Sequence, residues 1–310
     1  MILGIDTSNY TTSAAVINSK GELVSAAREL LEVEEGQKGL RQSKAVFQHI
    51  NNLPEVIKTV GTGINNEIEK IVVSNQPRSD KDSYMPVFRA GESQAESLAS
   101  VLDVEVEKFS HQEGHLMAGL WSAELKQNEF LALHISGGTT ELLEVNKVKS
   151  GFKTEVVAAT NDISAGQFID RIGVKIGLSF PAGPQLEELA KKASDEIELP
   201  VAVNDYNLSF SGPCTAAMRL LDKDATKTSQ LALAVQKVIS RSLIQLLKKA
   251  MQDRNLKDVL IVGGVAANQY IRETMSKHLE TEKLAGKLYF AEAKYSTDNA
   301  VGTALLGLND

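Results

Sequence analysis

Phe130-Leu131-Ala132-Leu133-His134-Ile135-Ser136-Gly137-Gly138-Thr139-Thr140-Glu141-Leu142-Leu143-Glu144-Val145 reads as strand, turn and strand. An apolar run meets a polar turn with paired glycines, and a second apolar run follows. Gly137 and Gly138 let the backbone approach a phosphate with no Cβ in the way. Alone, the stretch fits any tight hairpin. It has a counterpart at the start of the chain, where Ile2, Leu3 and Ile5 form an apolar run, Asp6-Thr7-Ser8-Asn9 is turn chemistry, and Ser13-Ala14-Ala15-Val16-Ile17 resumes a strand. Gly21 then permits a hairpin into Leu23-Val24. Such a turn, with hydroxyls and a carboxylate, can wrap a phosphate or a metal-bound phosphate with backbone N–H groups.

A repeat at domain scale, each copy opening on a hairpin and continuing into helices, is the layout of the actin-like ATPase (ASKHA) and sugar-kinase architecture. The expectation is an α/β protein with two duplicated domains around a nucleotide cleft, the two turns facing each other across it. Residues 1–125 and 126–297 form the expected domains, with a C-terminal helix at 298–310 packing back on the first. Between the copies, Phe47 to Val60 reads as an amphipathic helix, Ile68 to Ser74 as a strand, and Gln76 to Arg89 as a loop opening into a helix at Gly91 to Leu102. Beyond them, Asp162 to Leu178 is helical and sets Asp170 among apolar neighbours. A loop from Ser179 to Pro184 then launches a helix with Leu186, Glu187, Leu189 and Ala190. Asn207 to Gly212 is a strand-to-loop signal, and Leu231 to Met251 the longest helical pattern. The buried strand Val259 to Val262 runs into the glycine loop Gly263 to Asn268, ahead of a helix N-terminus that can meet a ligand. Lys287 to Phe290 is a strand leading to Ser296-Thr297-Asp298-Asn299-Ala300 and a final helix, so Asp298 also reads as an N-cap.

A chain of 310 residues, 43% hydrophobic, is long enough for two packed domains. Nowhere does an apolar run approach the roughly 18 residues that cross a bilayer. Met1-Ile2-Leu3-Gly4-Ile5 lacks the basic start of a signal peptide, so a cytoplasmic protein with no membrane partner is expected. A single cysteine, Cys214, excludes an intramolecular disulfide and any cysteine-cluster metal site. The formal net charge of -7 leaves no overall footprint for nucleic acid, although Arg78, Lys81 and Arg89, or Lys38, Arg41 and Lys44, could form local basic patches.

His111-Gln112-Glu113-Gly114-His115 sets two imidazoles four positions apart. On a helix both rings share a face, close enough to hold one divalent cation, though a capped or solvated helix surface fits as well. Two ligands are too few for a closed zinc site, so a third must come from elsewhere and leave an open position for a substrate oxygen. The His-Glu-x-x-His spacing of metalloproteases is absent, and on a helix Glu113 points away from the shared face.

Taken in order, Gly4-Ile5-Asp6-Thr7-Ser8, the His111–His115 stretch, Ser136-Gly137-Gly138, Ser209-Phe210-Ser211-Gly212, Gly264-Val265-Ala266-Ala267-Asn268 and Thr297-Asp298-Asn299 resemble the TsaD/Kae/Gcp family. These are tRNA N6-threonylcarbamoyladenosine synthases once labelled O-sialoglycoprotein endopeptidases, and the likeness spans nearly the whole chain. It implies one divalent metal, iron or zinc, held by two histidines and a distant aspartate, positions matched by His111, His115 and Asp298. It further implies an adenylate or ATP-type ligand, threonylcarbamoyl-adenylate, bound through Ile135, Ser136, Gly137, Gly138, Thr139, Asp170, Gly183, Glu187 and Asn268, with Asp170 on ribose hydroxyls. The implied reaction moves the threonylcarbamoyl group to N6 of an adenosine beside the tRNA anticodon. The implied partners are tRNA and TsaB-like and TsaE-like proteins. No residue stands out as an obligatory general base.

The sequence also departs from the family pattern. Asn75-Gln76-Pro77-Arg78-Ser79-Asp80-Lys81-Asp82 stands where the family has a glycine-proline-glycine-leucine loop, Thr139 replaces a histidine, and Ala182-Gly183 replaces paired glycines before Pro184. Pro213-Cys214 replaces leucine-lysine, a glycine is missing before Gly263-Gly264, and a valine-valine-proline-glutamate segment near position 40 is absent. Metal ligands are kept while substrate loops drift. A divergent paralogue, serving as a metal- and nucleotide-binding scaffold or regulatory protein, is therefore the alternative to an active transferase. A small-molecule kinase of the same fold would need a catalytic aspartate near Thr139-Thr140-Glu141.

Overall fold

The computed structural model describes residues 1–8, 10–34, 39–64, 67–80, 82–281 and 286–308. Asn9, Lys38, Lys81 and the last two residues of the expected C-terminal helix lie outside them. The chain opens with β1 (Ile2–Asp6), β2 (Thr11–Ile17), β3 (Leu23–Leu30), α1 (Gln42–Gly61), β4 (Lys70–Gln76), α2 (Phe88–Leu102), β5 (Glu105–Ser110) and α3 (His111–Ala123). Then come β6 (Glu129–Ile135), β7 (Thr140–Val148), β8 (Gly151–Ala159), α4 (Ala165–Lys175), α5 (Gly183–Ala190), the short pair β9 (Val203–Asn204) and β10 (Asn207–Leu208), and α6 (Ser211–Lys223). The last elements are α7 (Thr228–Arg254), β11 (Asp258–Val262), a 3-10 turn at Gly264–Ala267, α8 (Gln269–Thr281), β12 (Lys287–Phe290), α9 (Ala293–Ser296) and α10 (Val301–Leu306).

Two five-stranded sheets carry the same topology: β3-β2-β1-β4-β5 in the first and β8-β7-β6-β11-β12 in the second. In each, the first three strands run antiparallel and the last two add in parallel. The hairpin repeat read from the sequence is thus the repeat of whole sheets. Every residue of β1 and β2 is buried, as expected of strands covered on both faces. On one face Leu3, Ile5, Ala14 and Val16 pack with Leu53, Val56 and Val60 of α1 and Ala95 and Ala99 of α2. On the other, Ile2, Ala15, Ile17 and Val72 meet Ala300, Val301, Ala304 and Leu305 of the C-terminal segment. Leu131, Leu133 and Ile135 of β6 face α4, α6 and α7, whereas Phe130 and Ala132 face Leu116 and Leu120 of α3.

Helix α3 therefore lies between the two sheets, and α10 presses against it and β1. Only a glycine fits at that crossing, since a Cβ on Gly302 would sit 1.9 Å from the Gly114 carbonyl. Several elements differ from the sequence reading. Strands β5 and β8 are unforeseen, because each is an edge strand with charged, exposed residues such as Glu105 or Lys153 to Glu155 in place of an apolar run. Ser211 and Gly212 begin α6 and are not a loop. Helix α1 starts at Gln42, before its apolar stripe begins, and carries Pro54 inside.

Candidate active site

The start of α3 is set by a capping box. The Ser110 hydroxyl accepts from the Glu113 N–H at 3.3 Å, and the Glu113 carboxylate accepts from the Ser110 N–H at 2.9 Å. His111 is consequently the first helical residue and His115 lies one turn on, their ring centroids 4.4 Å apart. Glu113 is occupied by the cap and by the Ser79 hydroxyl, away from the histidines.

Asp298 reaches the pair from the segment ahead of α10. Its Oδ1 lies 3.4 Å from His111 Nε2 and 3.2 Å from His115 Nε2. The capping role belongs to its neighbour, for Asn299 Oδ1 accepts from the Val301 N–H at 3.0 Å. Two donors each ~2.1 Å from a tetrahedral metal stand ~3.4 Å apart. The spacing on Asp298 matches that value, and one donor atom from each of the three residues lies within 4.8 Å of the others. Nitrogen and carboxylate donors suit iron or zinc alike.

Behind His111 lies a fourth residue, Asp6, at the end of β1. Fully buried, it accepts from Ser8 Oγ at 2.5 Å and from the Ser74 hydroxyl, and its Oδ1 is 3.2 Å from His111 Nδ1. A carboxylate on the far nitrogen fixes the ring so that Nε2 faces the centre, the arrangement of metal-binding histidines. Without a metal the charges arrange around a proton. Burial opposes protonation of His111, but the carboxylates of Asp6 and Asp298 outweigh it and lift the imidazole to about 10. Burial, joined by the His111 charge, pushes His115 down to about 4. Burial would raise both aspartates, yet His111 holds Asp6 below the usual carboxylate range, and hydrogen bonds from both histidines do the same for Asp298. The corner is thus built for one positive charge between carboxylates.

The cleft beside it has a volume of about 260 Å³ and is walled by Ser8, Arg78, His111, His134, Ser136, Gly138 and Thr139 among others. The turn after β6 is closed by the Ser136 N–H donating to the Thr139 carbonyl at 2.7 Å and the Thr139 N–H donating to Ser136 Oγ at 3.1 Å. A Cβ at Gly137 or Gly138 would meet no atom within 4 Å, so the two glycines border open space that a ligand can enter. Ile135 is core, and offers only its backbone.

The other sequence-selected residues form a separate group outside that wall. Asp170 Oδ1 accepts from the Ala182 N–H at 2.8 Å, and burial raises its pKa. Gly183 opens α5 with open space at its Cα. Glu187 Oε1 accepts from the Gln269 N–H at 2.8 Å, tying α5 to the start of α8. Asn268 caps α8 by accepting from the Ile271 N–H, and donates to Gln236. Sequence reasoning overlooked His134 and Glu141. His134 is buried, its centroid 4.9 Å from that of His115, and neither ring nitrogen has a hydrogen-bond partner. A lone imidazole between Leu133 and Ile135, just ahead of the glycine turn, was the available signal.

Solved structures define the class. The chain is similar to HypF of T. kodakarensis (TM-score 0.65, 14% identity, 99% of this chain and 47% of that one). It is also similar to component A of (R)-2-hydroxyglutaryl-CoA dehydratase from Acidaminococcus fermentans (TM-score 0.58, 16% identity, 98% and 96%). The duplicated sheets and central cleft are those of the actin-like ATPase fold. Within that class, the model for TsaD, tRNA N6-adenosine threonylcarbamoyltransferase, matches residues 29–305. Relatives bearing that name are 30% identical: one from Thermosipho melanesiensis over 99% of this chain and 94% of its own, one from Prochlorococcus marinus subsp. pastoris over 98% and 89%. The chain belongs to the TsaD family of transferases. Among the described residues no helix is long and apolar enough to cross a membrane.

Proposed function

We propose that this chain transfers a threonylcarbamoyl group from threonylcarbamoyl-adenylate to N6 of an adenosine beside the tRNA anticodon, with one divalent metal, iron or zinc, in the His111–His115–Asp298 corner. The observation that carries the reading is the meeting of that corner with the Ser136–Thr139 turn at one cleft, in a chain of this family. When bound, the metal supplies a Lewis acid that polarises a substrate oxygen. Asp6 holds His111 in register and the open glycine turn seats the adenylate. In the transfer, the N6 nitrogen bonds to the carbamoyl carbon, the carbon–oxygen bond to the phosphate breaks, and AMP departs with the electron pair while N6 loses a proton.

Asp170, whose second carboxylate oxygen has no hydrogen-bond partner among the described residues, is assigned to ribose hydroxyls, with Gly183, Glu187 and Asn268 shaping the adjoining wall. We take residues 1–125 and 126–297 as the lobes, place the protein in the cytoplasm, and expect TsaB-like and TsaE-like partners. A metal-binding scaffold would keep the same ligand spacing, and it is the relatives named as transferases that favour the enzyme over it. Reconstitution with tRNA, threonine, bicarbonate, ATP and those partners should yield modified adenosine, lost with His115→Ala. A loaded, folded protein that never modifies tRNA sinks the reading.

A further inference from the structure

The stretch from Asn75 to Asp82, which leads out of β4, is one of those that depart from the family pattern, and there the chain places a cation in the cleft. The Pro77 carbonyl accepts from the Gln112 N–H at 3.0 Å, the Arg78 N–H donates to Ser83 Oγ at 3.0 Å, and Ser79 Oγ donates to Glu113 at 2.9 Å. Both flanks of Arg78 are thereby pinned, the outer two to the start of α3. Its guanidinium crosses to the second sheet, where Nη2 lies 2.7 Å from Oε2 of Glu141 on β7. Glu141 is 1% exposed and its other oxygen accepts from Gln112, so the carboxylate cannot swing away. Arg78 itself is 41% exposed and lines the cleft.

Among the described residues Arg78 is the one lysine or arginine on the wall shared by His111, Ser136 and Thr139. A guanidinium carries five N–H donors in a planar fork, and Glu141 lies against one side only, as an ion pair outside hydrogen-bond geometry. The remaining donors suit a phosphate or carboxylate, for which a fork of this kind is the favoured partner. Three carboxylates stand nearby, Asp6 and Asp298 flanking His111 and Glu141 against Arg78 itself.

We infer that Arg78, aimed by Glu141 across the cleft, binds an oxyanion of the substrate, either its phosphate or its threonyl carboxylate. This rests on the cleft being the adenylate site. Binding of AMP, adenosine, N-carbamoyl-L-threonine and its neutral carboxamide to the metal-loaded protein tests it, comparing the unmodified chain with Arg78→Met and Arg78→Lys. If phosphate is the target, Arg78→Met weakens AMP by about tenfold to a hundredfold and leaves adenosine unchanged. If carboxylate is the target, N-carbamoyl-L-threonine weakens by that factor and the carboxamide does not. Should Arg78→Met fail to fold, Arg78→Lys, which keeps charge but loses the fork, must show the same selective loss to a smaller degree. Equal affinities for all four compounds in variant and unmodified chain overturn the inference while leaving the cleft intact. An unmodified chain that binds none of the four overturns the cleft assignment and the inference together.

Discussion

His111 stands between two carboxylates, with Asp6 on Nδ1 and Asp298 on Nε2, and its proton serves as the charge that a metal would bring. Raised to about 10 from 6.5, this histidine stabilises the metal-free fold fully below about pH 6.5, and that contribution is lost as pH climbs toward 10. Metal must displace that proton, whereas His115, lowered to about 4, is already neutral. We expect uptake of zinc to release one proton, and affinity to rise about tenfold per pH unit between about pH 6 and 8. Calorimetry in buffers of differing ionisation enthalpy would count the protons; a count of zero removes His111 from the ligand set. Because Asp6 orients the ring from behind, Asp6→Asn should cost about 10- to 100-fold in metal affinity with the three ligands untouched. Competition against a chromophoric chelator reads this directly, and unchanged affinity would make Asp6 a mere buried acceptor.

Helix α3 and the segment leading into α10 bring the three candidate ligands together, and the packing of the two helices depends on two glycines. Gly302 lies against the carbonyl of Gly114, the residue before His115, and a methyl there would sit 1.9 Å from the oxygen. Gly302→Ala should therefore push α10 off α3, cost about 1–3 kcal/mol in urea unfolding, and weaken metal binding by moving Asp298. Gly137→Ala offers the contrast, because its methyl enters open cleft. Its stability should stay within about 0.5 kcal/mol of the parent while AMP binding falls. Equal stability losses in both variants would contradict the assignment of one glycine to packing and the other to the ligand. The hairpins β1–β2 and β6–β7 were legible because apolar runs flank turn chemistry. Strands β5 and β8 were not, since at a sheet edge half the side chains face water and the pattern dissolves.

Over the whole molecule, the candidate centre joins a helix between the two sheets to a segment nearly two hundred residues later, as the His115–Asp298 contact shows. A metal that binds only this folded arrangement should stabilise it by mass action, about 2.7 kcal/mol at a free concentration 100 times Kd. Chelation should lower the melting temperature of the unmodified chain and leave that of His115→Ala unmoved; identical shifts in both would place the metal elsewhere. Local spacing determined much of this protein in advance: two strand-turn-strand copies spelled out the duplicated fold, and His111 and His115 needed only a helix to share a face. Distance in the fold decided the rest. No local pattern joins Asp6, Ser74 and Asp298 to those histidines, or Arg78 to Glu141, because each contact closes a loop of tens to hundreds of residues and exists only once both sheets have packed around α3.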